Sequence, residues 1–208
     1  MRTRLLPVGG RAPGRRPPTE TGFTIVELLL VLALLVITAA LSAPIAATQL
    51  DTGRARQASE FVAARFRLAH QQAVARSSSV AVVFDTAGGR TTIRLCADGN
   101  GDGVRRADIT SGVDACPESP LDLETLFAGV RIASDPAIRG PDGEPGSADA
   151  IRFGRSDLAS FSPTGTCSAG SLFLQSRSGT QYVVRVAAST SRTRVLRYDA
   201  VTRTWRDA

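Results

Sequence analysis

The chain has 208 residues, enough for one domain with a real core and one appended segment. All 25 basic residues are Arg; five of them, against one Glu, lie in residues 1–22, so +4 of the formal +6 charge belongs there and the remainder is near neutral. A single His weighs against His-rich metal centres and against most acid/base enzymes.

Residues 1–22 form a basic leader, followed by "FTIVELLLVLALLVITAALSAPIAA". A secretory signal places its small-residue cleavage site after a short apolar stretch. Here the small residue, Gly22, precedes the stretch, and the run from Leu28 to Ala47 is broken only by Thr38, Ser42 and Pro44. As a helix rising about 1.5 Å per residue, that run reaches ~30 Å, the thickness of a bilayer core. Arginines on its N-terminal side predict a cytoplasmic N-terminus and a C-terminal bulk outside. Glu27 does not fit a plain anchor. An acid in a membrane helix costs about 2.5–3.5 kcal/mol at mid-bilayer and less near the interface, so it usually has a partner. No Arg or His lies within a turn of it. Cleavage after Gly22 would create an amine on Phe23, one helical turn before Glu27.

"GFTIVE", Gly22 to Glu27, resembles the processing site of type IV pilins and pseudopilins. The resemblance implies that a prepilin peptidase in the inner membrane cuts after Gly22 and methylates the new amine of Phe23. Glu27 then becomes the fifth residue and sets the stagger between packed subunits, and Pro44 bends the helix. It implies other pilins or pseudopilins as partners. It also implies a single-pass inner-membrane location with a periplasmic C-terminal domain, and a filament after assembly.

After Ala47 the pattern turns amphipathic: Ala58, Val62, Phe66, Ala69 and Ala73 recur at helical spacing. One helix is predicted over 24–76, divided into a membrane and assembly half, 23–47, and an amphipathic half, 48–76. His70 lies beside the apolar stripe and reads as an ordinary helical His. From residue 77 to 208, short β-branched runs are punctuated by Gly, Asp and Pro: "SVAVVFD", "RTTIRLC", "AGVRIA", "AIRFG", "SLFLQS", "QYVVRVA", "TRVLRYD". Their spacing predicts an antiparallel sheet, hence an α+β fold with the long N-terminal helix packed on a C-terminal β domain. The stretch 135–150 reads as a mobile Pro/Gly/Asp loop. "LAHQQAVARSSSVAVVF", "FSPTGT" and "SRTRVLRY" resemble the minor pseudopilins of the GspH/FimT type. The loop at 97–127 matches nothing in them.

Three places invite chemistry. In "DGNGDG", Asp98, Asn100 and Asp102 precede Gly103 as in a calcium loop, but Ile109 stands where a bidentate Glu belongs, and Asp108 comes one residue early. Calcium is the cofactor such a loop would take; the other reading is a turn that needs Gly and Asn for its backbone. Cys96 and Cys116 bracket this loop, either as a disulfide suited to an exported domain or as buried thiols, leaving Cys167 over. Third, Arg192, Arg194 and Arg197 lie in an Arg-rich C-terminal segment with Tyr182, Tyr198 and Trp205 interleaved. That suits a nucleic-acid surface, or else the polar face of edge strands, on which Arg keeps the edge from pairing. FimT-type DNA-uptake proteins carry Gly-Arg-x-Arg in this region; here Ser191 replaces the Gly.

No Gly-x-Ser-x-Gly, His-Glu-x-x-His or phosphate loop occurs. The expected function is an assembly subunit of a type II secretion pseudopilus or a type IV pilus, not an enzyme. The alternatives are a DNA-binding minor pilin and a membrane-anchored extracytoplasmic enzyme.

Overall fold

The computed structural model describes residues 22–208, so the leader up to residue 21 lies outside the described residues. Helix α1 runs Ile25–Arg76. The chain divides into two compact units, Met1–Ala43 and Pro44–Ala208.

In the first unit Thr24 starts the helix. Its Oγ1 accepts from the Glu27 N–H at 3.2 Å and its carbonyl from the Leu28 N–H at 3.1 Å. The hydroxyls that interrupt the apolar run turn back on the helix. Thr38 donates to Leu34 O at 2.9 Å and Ser42 to Ala39 O at 3.1 Å, so neither presents an unsatisfied donor. The large apolar side chains from Phe23 to Leu41 are exposed all around the helix. Among the described residues α1 is the one helix long and apolar enough to cross a membrane. The backbone stays helical through Pro44, whose side chain lies outside the described residues.

The second unit is α+β. Strands β1 (Val80–Ala87), β2 (Arg90–Ala97), β3 (Leu121–Asp122) and β6 (Leu158–Phe161) form one antiparallel sheet in the order β3-β2-β1-β6. Strands β4 (Arg131–Ile132), β7 (Gly170–Gln175), β8 (Gln181–Val186), β9 (Thr193–Asp199) and β10 (Thr204–Asp207) form a second, β10-β9-β8-β7-β4, with β5 (Ile151–Arg152) also on β7. Helix α1 supplies Ala55, Ala58, Val62, Phe66, Ala69 and Ala73 to one core shared with both sheets. Phe66 is its hub: its ring lies 6.3 Å from Phe84, 5.5 Å from Phe153 and 6.1 Å from Phe161. Truncating so buried an aromatic ring costs about 3–5 kcal/mol.

The other face of each sheet is covered as well. Ala81 and Val83 of β1 pack with Val104 and Leu158, against Ile109 and Cys116 of the loop at 97–120. Phe173, Val183 and Leu196 pack under Ala150 and Trp205. The stretch 135–150, expected to be mobile, is stitched down instead. Arg152 donates to Asp149 O, Ser147 O and Ser134 Oγ, Arg185 clamps Asp142, and Trp205 Nε1 donates to Arg139 O at 2.8 Å. Gly146 is packed so closely on Pro136 O that a Cβ there would sit 2.0 Å away.

Candidate functional site

The start of α1 holds the residues on which the assembly reading rests. Thr24, Ile25, Val26 and Glu27 have the spacing of a capping box, in which the hydroxyl caps the third N–H and the acid reaches back to the capping residue. Only the first half is formed: Thr24 takes the Glu27 N–H. The Glu27 carboxylate has no hydrogen bond or ion pair among the described residues. Phe23 beside it is 82% exposed, and Gly22 has open space around its Cα. The scissile bond expected between Gly22 and Phe23 therefore lies before α1, beside an exposed side chain. The sequence reading missed the Thr24 cap, although Thr three residues before Glu at the head of an apolar run is its signal.

The loop at 98–114 is organised by its own backbone. Asp98 Oδ1 accepts from Asn100 N at 3.1 Å and Gly101 N at 2.7 Å, and Oδ2 from Gly103 N at 2.9 Å. Burial raises the Asp98 pKa, but these N–H groups outweigh it and hold the carboxyl below its ordinary value. Asn100 Oδ1 accepts from Asp102 N, and Asp102 pairs with Arg105 at 2.6 Å. Asp108 stands apart on α2 (Arg106–Ser111), a helix the sequence reading did not place. No group of three or more His, Cys, Asp or Glu positioned to hold a metal occurs among the described residues. Asp114, which is 2% exposed, ties the loop shut by accepting from Gly99 N at 3.0 Å and Arg105 N at 2.8 Å. Arg106 anchors α2 on Asp85 at 2.7 Å, Phe84 O and Ser156 O. Cys96 and Cys116 are joined by a disulfide across this loop. In the chain-entropy account a loop of 20 residues gains about 3 kcal/mol from such a bridge. Cys167 is free, donates to Ala187 O at 3.2 Å, and is pushed up in pKa by burial.

Arg192, Arg194 and Arg197 are not equally free. Arg194 donates to both oxygens of Asp207, at 2.8 and 2.9 Å. Arg206 pairs with Asp199 at 3.3 Å. Arg192 and Arg197 are exposed and make no ion pair among the described residues. Two of the three interleaved aromatics are committed: Tyr182 is buried, and the Trp205 ring leans on Phe173 and Tyr198. Ser191, where the FimT-type motif has Gly, adopts a left-handed φ of 50°. Its hydroxyl donates to Gly165 O at 2.7 Å, which holds that turn.

No known family model matches the chain, and no curated protein does. A solved structure it resembles is the minor pseudopilin EpsH from the Type 2 Secretion System of Vibrio cholerae. The two are 12% identical with a TM-score of 0.43, over 69% of this chain and 97% of that one.

Proposed function

We propose that this chain is a minor pilin or pseudopilin, an assembly subunit of a type II secretion pseudopilus or a type IV pilus. One observation carries the reading: Glu27 sits in the first turn of an apolar helix with its N–H capped by Thr24 and its carboxylate unpartnered among the described residues. An acid at the head of an apolar helix needs a counter-charge. The amine that cleavage after Gly22 would leave on Phe23, in a neighbouring subunit, supplies one. Three supports stand beside it. The order of Gly22, Phe23 and Glu27 resembles the pilin processing site. Leu28–Ala47 is long enough to span a bilayer core. The amphipathic half of α1 packs on an antiparallel β domain closed by a disulfide that an exported compartment permits. The chain is read as a subunit, not an enzyme, on the absence of a nucleophile or phosphate motif in the sequence.

Mass spectrometry of the protein purified from envelopes that contain prepilin peptidase is expected to find a chain starting at Phe23 with a methylated amine. A start beyond Ala40, or an intact leader with the peptidase present, overturns the reading.

A further inference from the structure

Three segments of the second unit meet at one end of its larger sheet. The β7–β8 turn touches α1 where Asp51 accepts from the Ser178 N–H at 2.7 Å, and Tyr182 Oη donates to Thr52 O at 3.4 Å. The β9–β10 turn, residues 200–203, lies at the same end because β7 to β10 are successive antiparallel neighbours. Both turns line one open cavity of about 670 Å³ that includes Ser178, Arg197 and Val201.

At this end Arg54, Arg56, Arg177, Arg197, Arg203 and Arg206 outnumber Asp51, Glu124, Asp135, Asp199 and Asp207. Arg54, Arg56, Arg177, Arg197 and Arg203 are exposed, and none makes an ion pair among the described residues. The acids at this end are Asp199 and Asp207, paired with Arg206 and Arg194, Asp51, which accepts from Ser178, Asp135, which lines the same cavity and accepts from the Ala137 N–H, and Glu124, which shares a pocket with Arg177. Elsewhere acids and guanidiniums pair at Asp85 and Asp142, while Arg76, Arg131, Arg139, Arg155 and Arg192 also make no ion pair among the described residues. Amid the arginines at this end Val201, at the tip of its turn, is 93% exposed, and Leu50 on α1 is also open. Guanidiniums around exposed aliphatic tips are the composition of an interfacial surface, in which cations meet lipid phosphates and apolar tips enter the headgroup layer.

Chain length supplies the occupant. Asp51 follows Ala47, the end of the apolar run, by four residues, which fully extended span about 14 Å. Resting on the reading of 28–47 as a membrane anchor, we propose that this rim docks on anionic phospholipid headgroups of the same membrane. Arg54, Arg56, Arg177, Arg197 and Arg203 would lie on lipid phosphates and Val201 in the interface. Before assembly such docking would hold the domain down on the bilayer, and extraction into a filament would have to break it. The attraction is electrostatic, so salt weakens it within a Debye length of about 8 Å.

The test uses the full chain reconstituted into phosphatidylcholine vesicles, with and without one third phosphatidylglycerol. Flotation reads the anchor. Trypsin cleavage at Arg177 and Arg203, relative to exposed Arg155 on the same domain, reads the rim. The expected result is flotation with both compositions and at least five-fold slower relative cleavage at the rim with phosphatidylglycerol, reversed by 0.5 M NaCl. Arg54→Gln with Arg56→Gln should restore cleavage while leaving the phosphatidylcholine pattern unchanged, which also reports that the variant is folded. Equal rim cleavage in both vesicles, with flotation intact, overturns the docking surface and leaves the anchor standing. Failure to float overturns both. Equal or greater protection by a short DNA duplex on phosphatidylcholine vesicles assigns the rim to nucleic acid and overturns the lipid.

Discussion

Asp98 accepts three backbone N–H groups with its two oxygens, and Asp114 accepts two more from the far side of the same loop. Both residues do with protein donors what a metal site would do with a cation. Gly101 and Gly103 have φ of 88° and 90°, and a Cβ on Gly99 would stand 2.0 Å from Val113 O. The glycines that make "DGNGDG" look like a calcium loop are therefore required by the turn itself. Asp98→Ala is expected to destabilise the chain by about 1.5–3 kcal/mol, the range for hydrogen bonds to a charged group. Its melting temperature should fall by several degrees equally in chelator and in millimolar calcium. A stabilisation of wild type by calcium that Asp98→Ala abolishes would instead make the loop a metal site. The pH dependence has a definite sign. The Asp98 carboxyl is depressed in the folded chain, so its contribution is complete above the ordinary carboxylate pKa and is lost as pH falls through the folded value. Wild type and Asp98→Ala should therefore converge in melting temperature only on the acid side of that ordinary value.

At the scale of elements, both loops act as covers. The loop at 97–120 seals the outer face of the β1 sheet, and 135–150 seals the outer face of the β8 sheet, with Arg152 as its main fastening. The Arg152 guanidinium also lies 4.3 Å from the Phe173 ring centre, so its removal loses packing and hydrogen bonds together. Arg152→Ala is expected to cost about 1–3 kcal/mol. It should also open trypsin cleavage at Arg139 and shift the emission of Trp205, the one tryptophan, to the red as it loses Arg139 O. Unchanged emission and cleavage would show that Asp142 and Arg185 hold the loop without it. These covers explain what was legible in the sequence. Helix α1 announced itself through Ala58, Val62, Phe66, Ala69 and Ala73, all of which are buried, and the seven quoted runs all contain strands. "VAVVF" is apolar at every position, which is how a strand covered on both faces reads; taken as partial alternation, it hid the covering loop. Strands β3, β6 and β10 and helices α2 and α3 (Leu123–Leu126) escaped notice because they are two to six residues long and are held by distant partners rather than by their own pattern. Proline and glycine in 135–150 suggested motion, whereas the fastenings of that loop come from Arg152, Arg185 and Trp205, outside it. At the candidate site, Gly22, Phe23 and Glu27 were readable by order alone. The arginines Arg54, Arg56 and Arg177 became one group only when the fold brought their segments together.

Over the whole molecule, two chemistries share one chain. The second unit closes its own core, while the first leaves every large apolar side chain from Phe23 to Leu41 exposed and the Glu27 carboxylate without a partner among the described residues. On the proposed reading of 28–47 as a membrane anchor, the apolar surface is answered by lipid. The carboxylate is not, since a bilayer offers it no counter-charge, and that difference separates insertion from assembly. Glu27→Ala is expected to leave processing after Gly22 intact, because the scissile bond lies four residues upstream and the Thr24 cap uses the backbone N–H of residue 27, which any residue but proline supplies. Insertion should be unharmed or improved, since the acid in the apolar helix is gone. On the proposed pilin reading, association with neighbouring subunits should fail, because the Phe23 amine that cleavage would expose in them loses its counter-charge. Two charges ~4 Å apart interact by about 4 kcal/mol at an effective dielectric near 20, an upper guide to what is lost. Glu27→Gln keeps the shape and an acceptor for the amine, so it should fail less severely, in the order wild type, Gln, Ala. The measurement is co-purification of partner pilins from solubilised membranes that contain equal amounts of processed subunit. If Glu27→Ala carries its partners down as wild type does, the carboxylate does not dock subunits, and the stagger between them is set by apolar packing along 25–41 alone.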